Sequence, residues 1–136
     1  MSRSNILDYL NNPSPQTLGR SPLEWLDRLQ RPTVVRVAGR DPSRTRAMAT
    51  LLHGNEPSGL FAIHRWLLEQ HTPEVNLLFL LAGVRSAKIP PVLSLRQVPG
   101  GRDLNRCFKE PFAGEEGAIA ESMLAELQTA NPECLL

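Results

Sequence analysis

"VNLLFLLA", residues 75–82, is apolar at nearly every position. A strand with one wet face alternates apolar and polar residues, so this run predicts a strand buried on both faces inside an α/β sheet. Just before it, "PSGLFAIHRWLLEQH" (57–71) puts Pro57 in a helix's first turn and spaces Leu60, Ile63 and Leu67 at i, i+3 and i+7, which predicts a crossover helix. Further back, "TVVRVAG" (33–39) and "TRAMATLL" (45–52) read as strands. The turn-forming "RDPSR" between them predicts a β-hairpin. The expectation is one sheet, with the strand at 45–52 parallel to that at 75–82 through a right-handed helical crossover.

On the N-terminal side, residues 1–30 read as a helical extension packed on the outside of the domain. "SNILDYL" is followed by a Pro-containing break and then by "SPLEWLDRL". Ser21 as N-cap, Pro22 at the first helical position and the apolar Leu23, Trp25, Leu26 and Leu29 mark the second helix. On the C-terminal side, residues 83–116 are rich in Pro, Gly and Arg without a clear period, too long for an ordinary connection and thus a candidate functional loop. "GAIAESMLAELQTA" (117–130) is a helix with Ile119, Met123, Leu124 and Leu127 inward, and "ECLL" after Pro132 reads as a strand just beginning.

A chain of 136 residues, 41% hydrophobic and 21% charged, is the size and composition of one globular domain. Fifteen basic and fourteen acidic side chains give a net charge of +1, which provides no global field to recruit nucleic acid or an anionic membrane. No stretch resembles a signal peptide or reaches the roughly 20 apolar residues of a bilayer span, so the expected location is cytoplasmic. Cys107 and Cys134 form no short-spaced pair, which argues against a zinc knuckle or redox dithiol.

Two stretches carry candidate chemistry. In "LLHGNEPSG" (51–59), His53 and Glu56 stand where a strand ends and a helix begins, the edge at which open α/β sheets place ligands. An imidazole and a carboxylate converging from one turn suit Zn²⁺, which takes N and O donors in a tetrahedral array. A partly buried histidine beside a first-turn carboxylate favoured by the helix dipole is the structural alternative. The second stretch is "GRDLNRCF" (101–108). His64 and His71, within and at the end of the crossover helix, read as an edge-of-core histidine and a helix C-terminal dipole partner; Cys107 reads as a small buried thiol.

"HGNEPSG" followed about fifty residues later by "DLNRCF" resembles the succinylglutamate desuccinylase/aspartoacylase family, relatives of the zinc carboxypeptidases. The resemblance covers residues 33–136, the N-terminal portion of that family's catalytic domain, and the corresponding domain boundary here is 31–136. It implies a three-layer α/β fold of the zinc carboxypeptidase type, a mixed sheet flanked by helices and truncated at the C-terminus. It implies a zinc-dependent hydrolase that cleaves an amide or ester bond of a small carboxylate-bearing, N-acyl amino-acid-like substrate.

In that family's terms His53 and Glu56 are two of three zinc ligands, and Asn105 and Arg106 hold the substrate carboxylate. Asp103 supports the motif or a ligand, and Arg96, with Arg102 as second choice, polarises the scissile carbonyl. Three departures follow. "AGVRSA" replaces an Asn-containing segment after the third strand. The third ligand, a histidine in a D-x-H context, and the glutamate that activates water would both lie beyond Leu136. The expectation is therefore weak or absent zinc binding and little or no activity in these 136 residues. The alternative is a non-catalytic carboxylate-binding or interaction fragment, or one half of a split enzyme that pairs with a complementary C-terminal chain.

Overall fold

The computed structural model describes residues 6–136. A five-stranded mixed sheet has the order β1-β2-β4-β3-β5, with β1 at Asp8–Asn11, β2 at Thr33–Val37, β3 at Asp41–Thr50, β4 at Val75–Leu81 and β5 at Cys134–Leu135. The helices are α1 (Pro15–Leu18), α2 (Pro22–Arg28), α3 (Ser58–Leu68), α4 (Val84–Lys88) and α5 (Gly114–Ala130).

The all-apolar β4 takes the centre, as its sequence requires. Alternate residues serve opposite faces: Phe79 and Leu81 join one core cluster, Leu78 and Leu80 the other. β2 does the same, with Val35 and Val37 on the first face and Val34 on the second. The first cluster is completed by Leu18, Trp25, Leu26, Leu60, Ile63 and Leu67 from α1 to α3, the second by Leu104, Ile119 and Met123. Two cores on one sheet make three layers. The crossover helix forms as expected, with Leu60, Ile63 and Leu67 buried, and β3 lies parallel to β4.

The expected hairpin does not form. β4 lies between β2 and β3, antiparallel to the first and parallel to the second. A hairpin would leave a strand apolar on both faces at an edge, whereas the observed order covers both of its sides. The link between β2 and β3 crosses the start of β4. Arg40 N donates to Pro73 O at 2.9 Å and Asp41 N to Glu74 O at 2.9 Å. Gly39 permits this crossing, since a Cβ there would stand 2.1 Å from the Val75 carbonyl carbon. The turn chemistry of "RDPSR" appears as a register shift between Asp41 and Thr45 within β3, where Asp41 Oδ1 accepts from Ser43 N at 3.0 Å.

The N-terminal segment also differs from the expected helical extension over 1–30. Asp8–Asn11 is an edge strand parallel to β2; residues 1–5 lie outside the described residues. α2 forms with the predicted Ser21 cap, whose hydroxyl accepts from Glu24 N. Trp25 and Leu18, each 0% exposed, make these helices part of the core rather than an outer layer. "ECLL" is an edge strand as expected, and β5 pairs parallel to β3. No described helix is long and apolar enough to cross a membrane.

Candidate functional site

β3, β4 and β5 run in one direction, and His53 lies just past the C-terminal end of β3. Leu51 turns the chain with φ +56°. Ala82 N and Gly83 N donate to Thr50 O and Leu51 O at 3.1 and 2.6 Å, so the ends of β3 and β4 stay tied beneath the turn. Glu56 N donates to His53 O at 3.1 Å, closing a tight turn that brings these two side chains to one side. Gly54 lets the turn press against its neighbours: a Cβ there would meet Leu95 O at 2.6 Å and Ala87 N at 2.7 Å. Gly54 N in turn donates to Arg96 O at 3.1 Å, fastening the later loop to the His53 turn.

"DLNRC" is positioned by two inward residues three apart. Leu104 is buried in the α5-side core and Cys107 is 1% exposed, its thiol donating to Asp103 O at 3.3 Å. Between them Asn105 and Arg106 are exposed. Asp103 caps the 3₁₀ turn Leu104–Arg106, its Oδ1 accepting from Asn105 N at 3.0 Å.

These two segments meet at His53, whose side chain is only 8% exposed. Its Nε2 lies 2.8 Å from Asp103 Oδ1, and its Nδ1 lies 3.1 Å from Glu56 Oε2. Arg96 Nη2 donates to Asp103 Oδ2 at 3.1 Å. Burial pushes the Asp103 carboxyl's pKa up, but the hydrogen bonds from His53, Arg96 and the Asn105 amide outweigh it and hold the pKa below its ordinary value. Asp103 is thus an ionised acceptor against one ring nitrogen, and Glu56, with 62% of its side chain exposed, faces the other.

A neutral imidazole has a single N–H. It satisfies one of the two carboxylates and presents a lone pair to the other, unless a second proton or a cation fills that gap. With Nε2–H given to Asp103, the lone pair of Nδ1 and the Glu56 carboxylate converge. Tetrahedral zinc with bonds of about 2.0–2.1 Å separates neighbouring N and O donors by about 3.3 Å, close to the 3.1 Å observed. The donor set fits two positions of a zinc shell. Asp103 is turned to the far nitrogen, and among the described residues there is no group of three His, Cys, Asp or Glu side chains placed to hold a metal.

The remaining residues singled out by sequence fall in different places. Arg102 Nη1 donates to Ala113 O at 2.8 Å, which commits it to the start of α5. Arg96, Gln97 and Arg102 line a cavity of about 30 Å³ with Leu104 and Glu116, room for water rather than for a substrate. The ion pair of Arg85 with Glu115, which the sequence did not single out, stands at its rim. Neither Asn105 nor Arg106 has a side-chain hydrogen bond to His53, Glu56 or Asp103. His64 is buried, its Nε2 donating to Leu18 O and Gly19 O at 3.2 and 3.1 Å, and exposed His71 lies 2.8 Å from Glu69. Both are engaged away from His53.

Fold and site together define a three-layer α/β domain with a carboxylate-flanked histidine at the C-terminal edge of its parallel strands. No family model matches the chain, no curated protein matches it, and no solved structure matches it.

Proposed function

We propose that this domain carries part of the catalytic centre of a zinc-dependent hydrolase of the succinylglutamate desuccinylase/aspartoacylase type, on a zinc carboxypeptidase-like fold. The observation that supports it best is the histidine held at Nε2 by Asp103 with Nδ1 turned to Glu56, the pattern by which a carboxylate orients a metal-binding imidazole. Bound zinc supplies a Lewis acid and an acidified water for attack on an amide or ester carbonyl. His53 and Glu56 hold the metal from one turn, and Asp103 fixes the ring. Arg106, with no side-chain partner among the described residues, is free to grip a substrate carboxylate through parallel N–H bonds, helped by Asn105.

With two donors where a catalytic zinc has three, affinity is low and turnover of N-acyl amino acids is slight. Zinc titration by calorimetry tests this. The chain binds weakly and with one-to-one stoichiometry, and His53→Ala or Glu56→Gln removes the binding. Binding unchanged in both variants refutes the assignment.

A second reading, pairing with another chain, draws support from β5. Leu135 on the edge strand β5 and Leu136 just past its end are 52% and 79% exposed, and the outer side of β5 has no neighbouring strand among the described residues, a template for a further strand. A stable one-to-one complex with a complementary polypeptide favours it; a zinc-free monomer under all conditions favours a carboxylate-binding fragment.

A further inference from the structure

We infer that Arg96 is a positioning residue, which acts through Asp103 to select the ring tautomer of His53 rather than on the substrate's carbonyl. This rests on the metal-site reading of His53 and Glu56. Arg96 grips the site twice. Its carbonyl accepts from Gly54 N at 3.1 Å, on the turn that carries His53, and its guanidinium donates to Asp103 Oδ2 at 3.1 Å. It thereby joins the two segments whose side chains meet at the imidazole.

The other guanidinium groups nearby do none of this. Arg85 pairs with Glu115 and Arg102 with the Ala113 carbonyl, while Arg106 is unpaired among the described residues. An anionic substrate therefore meets Arg106 without breaking an existing contact, whereas recruiting Arg96 to a carbonyl releases Asp103.

The consequence for His53 is chemical. Two carboxylates compete for its one N–H when the ring is neutral. Asp103 Oδ1 is the nearer, at 2.8 Å against 3.1 Å, and the less exposed, at 18% against 62%. It keeps that advantage while Arg96 and the Asn105 amide hold the carboxylate in place. Without Arg96, Oδ2 loses its partner and the carboxylate is free to rotate away from Nε2. The Nδ1–H tautomer then donates to Glu56 and closes the gap in which a metal binds.

The test uses the 136-residue chain, labelled with ¹⁵N at histidine, at a pH above about 8 where imidazole is ordinarily neutral. Ring ¹⁵N shifts distinguish the two tautomers, and zinc titration gives a second readout. In the wild type the Nε2–H form dominates. Arg96→Gln and Arg96→Met, the latter keeping the apolar stem, raise the Nδ1–H fraction, and Arg96→Lys restores Nε2–H. Asp103→Ala gives the largest change. Zinc affinity falls by about 3–10-fold in the Gln and Met variants, less than the 10–100-fold typical of removing the carboxylate itself.

If Asp103→Ala shifts both readouts while neither folded Arg96 loss variant shifts either, the inference is overturned. If no protein binds zinc but the tautomer follows Arg96 as stated, the metal reading fails and the positioning role stands. A tautomer indifferent to every substitution, Asp103→Ala included, overturns the positioning role directly.

Discussion

Trp25 shows how much one side chain bears on this fold. It is 0% exposed, packs 5.7 Å from the His64 ring, and its indole Nε1 has no hydrogen-bond partner among the described residues. Truncation to Ala leaves a large cavity and costs about 3–5 kcal/mol. Trp25→Phe keeps most of the apolar contact and removes a buried unpaired donor, a group whose desolvation costs about 1–3 kcal/mol. Phe is therefore expected to be the milder change by about 2 kcal/mol. Urea unfolding of both variants checks this; because both remove the indole N–H, equal losses would show that the apolar contacts kept by Phe are not what the buried ring contributes. At the same scale, the burial of Cys107 was legible in the sequence as that of a small thiol, whereas the inward turn of Leu104 was not singled out. The Asp103 contact to His53, across fifty positions, was legible only through the motif's resemblance.

Among the elements, β5 depends most on charge. It has few residues and both of its strand positions are exposed. The clamp is Glu133, whose carboxylate accepts from Arg44 Nε and Nη2 and from Arg46 Nε, each at 2.9 Å. Hydrogen bonds from Arg44, then Arg46, hold the Glu133 pKa below its ordinary 4.5. A depressed carboxylate pKa stabilises the fold above the ordinary value and loses that contribution as pH falls through the depressed one. β5 should accordingly detach from β3 in acid below about pH 4.5 while β4 stays paired. Amide shifts of Leu136, which donates to Ala47 O at 3.0 Å, follow this directly. Glu133→Gln should free β5 already at neutral pH and abolish the acid transition. A β5 that stays docked in that variant would place its stability in the backbone ladder instead.

Over the whole molecule, the N-terminal helices and the sheet share one core. Leu18, Trp25, Leu26 and Leu29 lie in the same cluster as Val35, Leu60, Phe79 and Leu81. Removing residues 1–31 strips one face of α3 and exposes an apolar patch, so the shortened chain should lose cooperative unfolding and near-ultraviolet circular dichroism. A sharp thermal transition in that shortened chain would show that the extension is dispensable. Composition alone could not reveal this, because "SPLEWLDRL" has the amphipathic stripe of any surface helix. What it packs against is a property of the folded chain.

The sequence by itself determined the pieces whose cause is local. These are the doubly apolar β4, the helix of α3 with its i, i+3, i+7 face, the Ser21–Pro22 start of α2, and the junction that carries His53 and Glu56. Each follows from side-chain period or capping chemistry within about a dozen residues. Only the tertiary structure decided what depends on competition between distant segments. It placed β4 between β2 and β3, because a strand apolar on both faces gains more by being covered on both sides than a hairpin gains by its short turn. It recruited "DYLN" as a strand, because β2 had a free edge. It brought Asp103 and Arg96 to His53, because Leu104 and Cys107 seek the core and carry the loop with them.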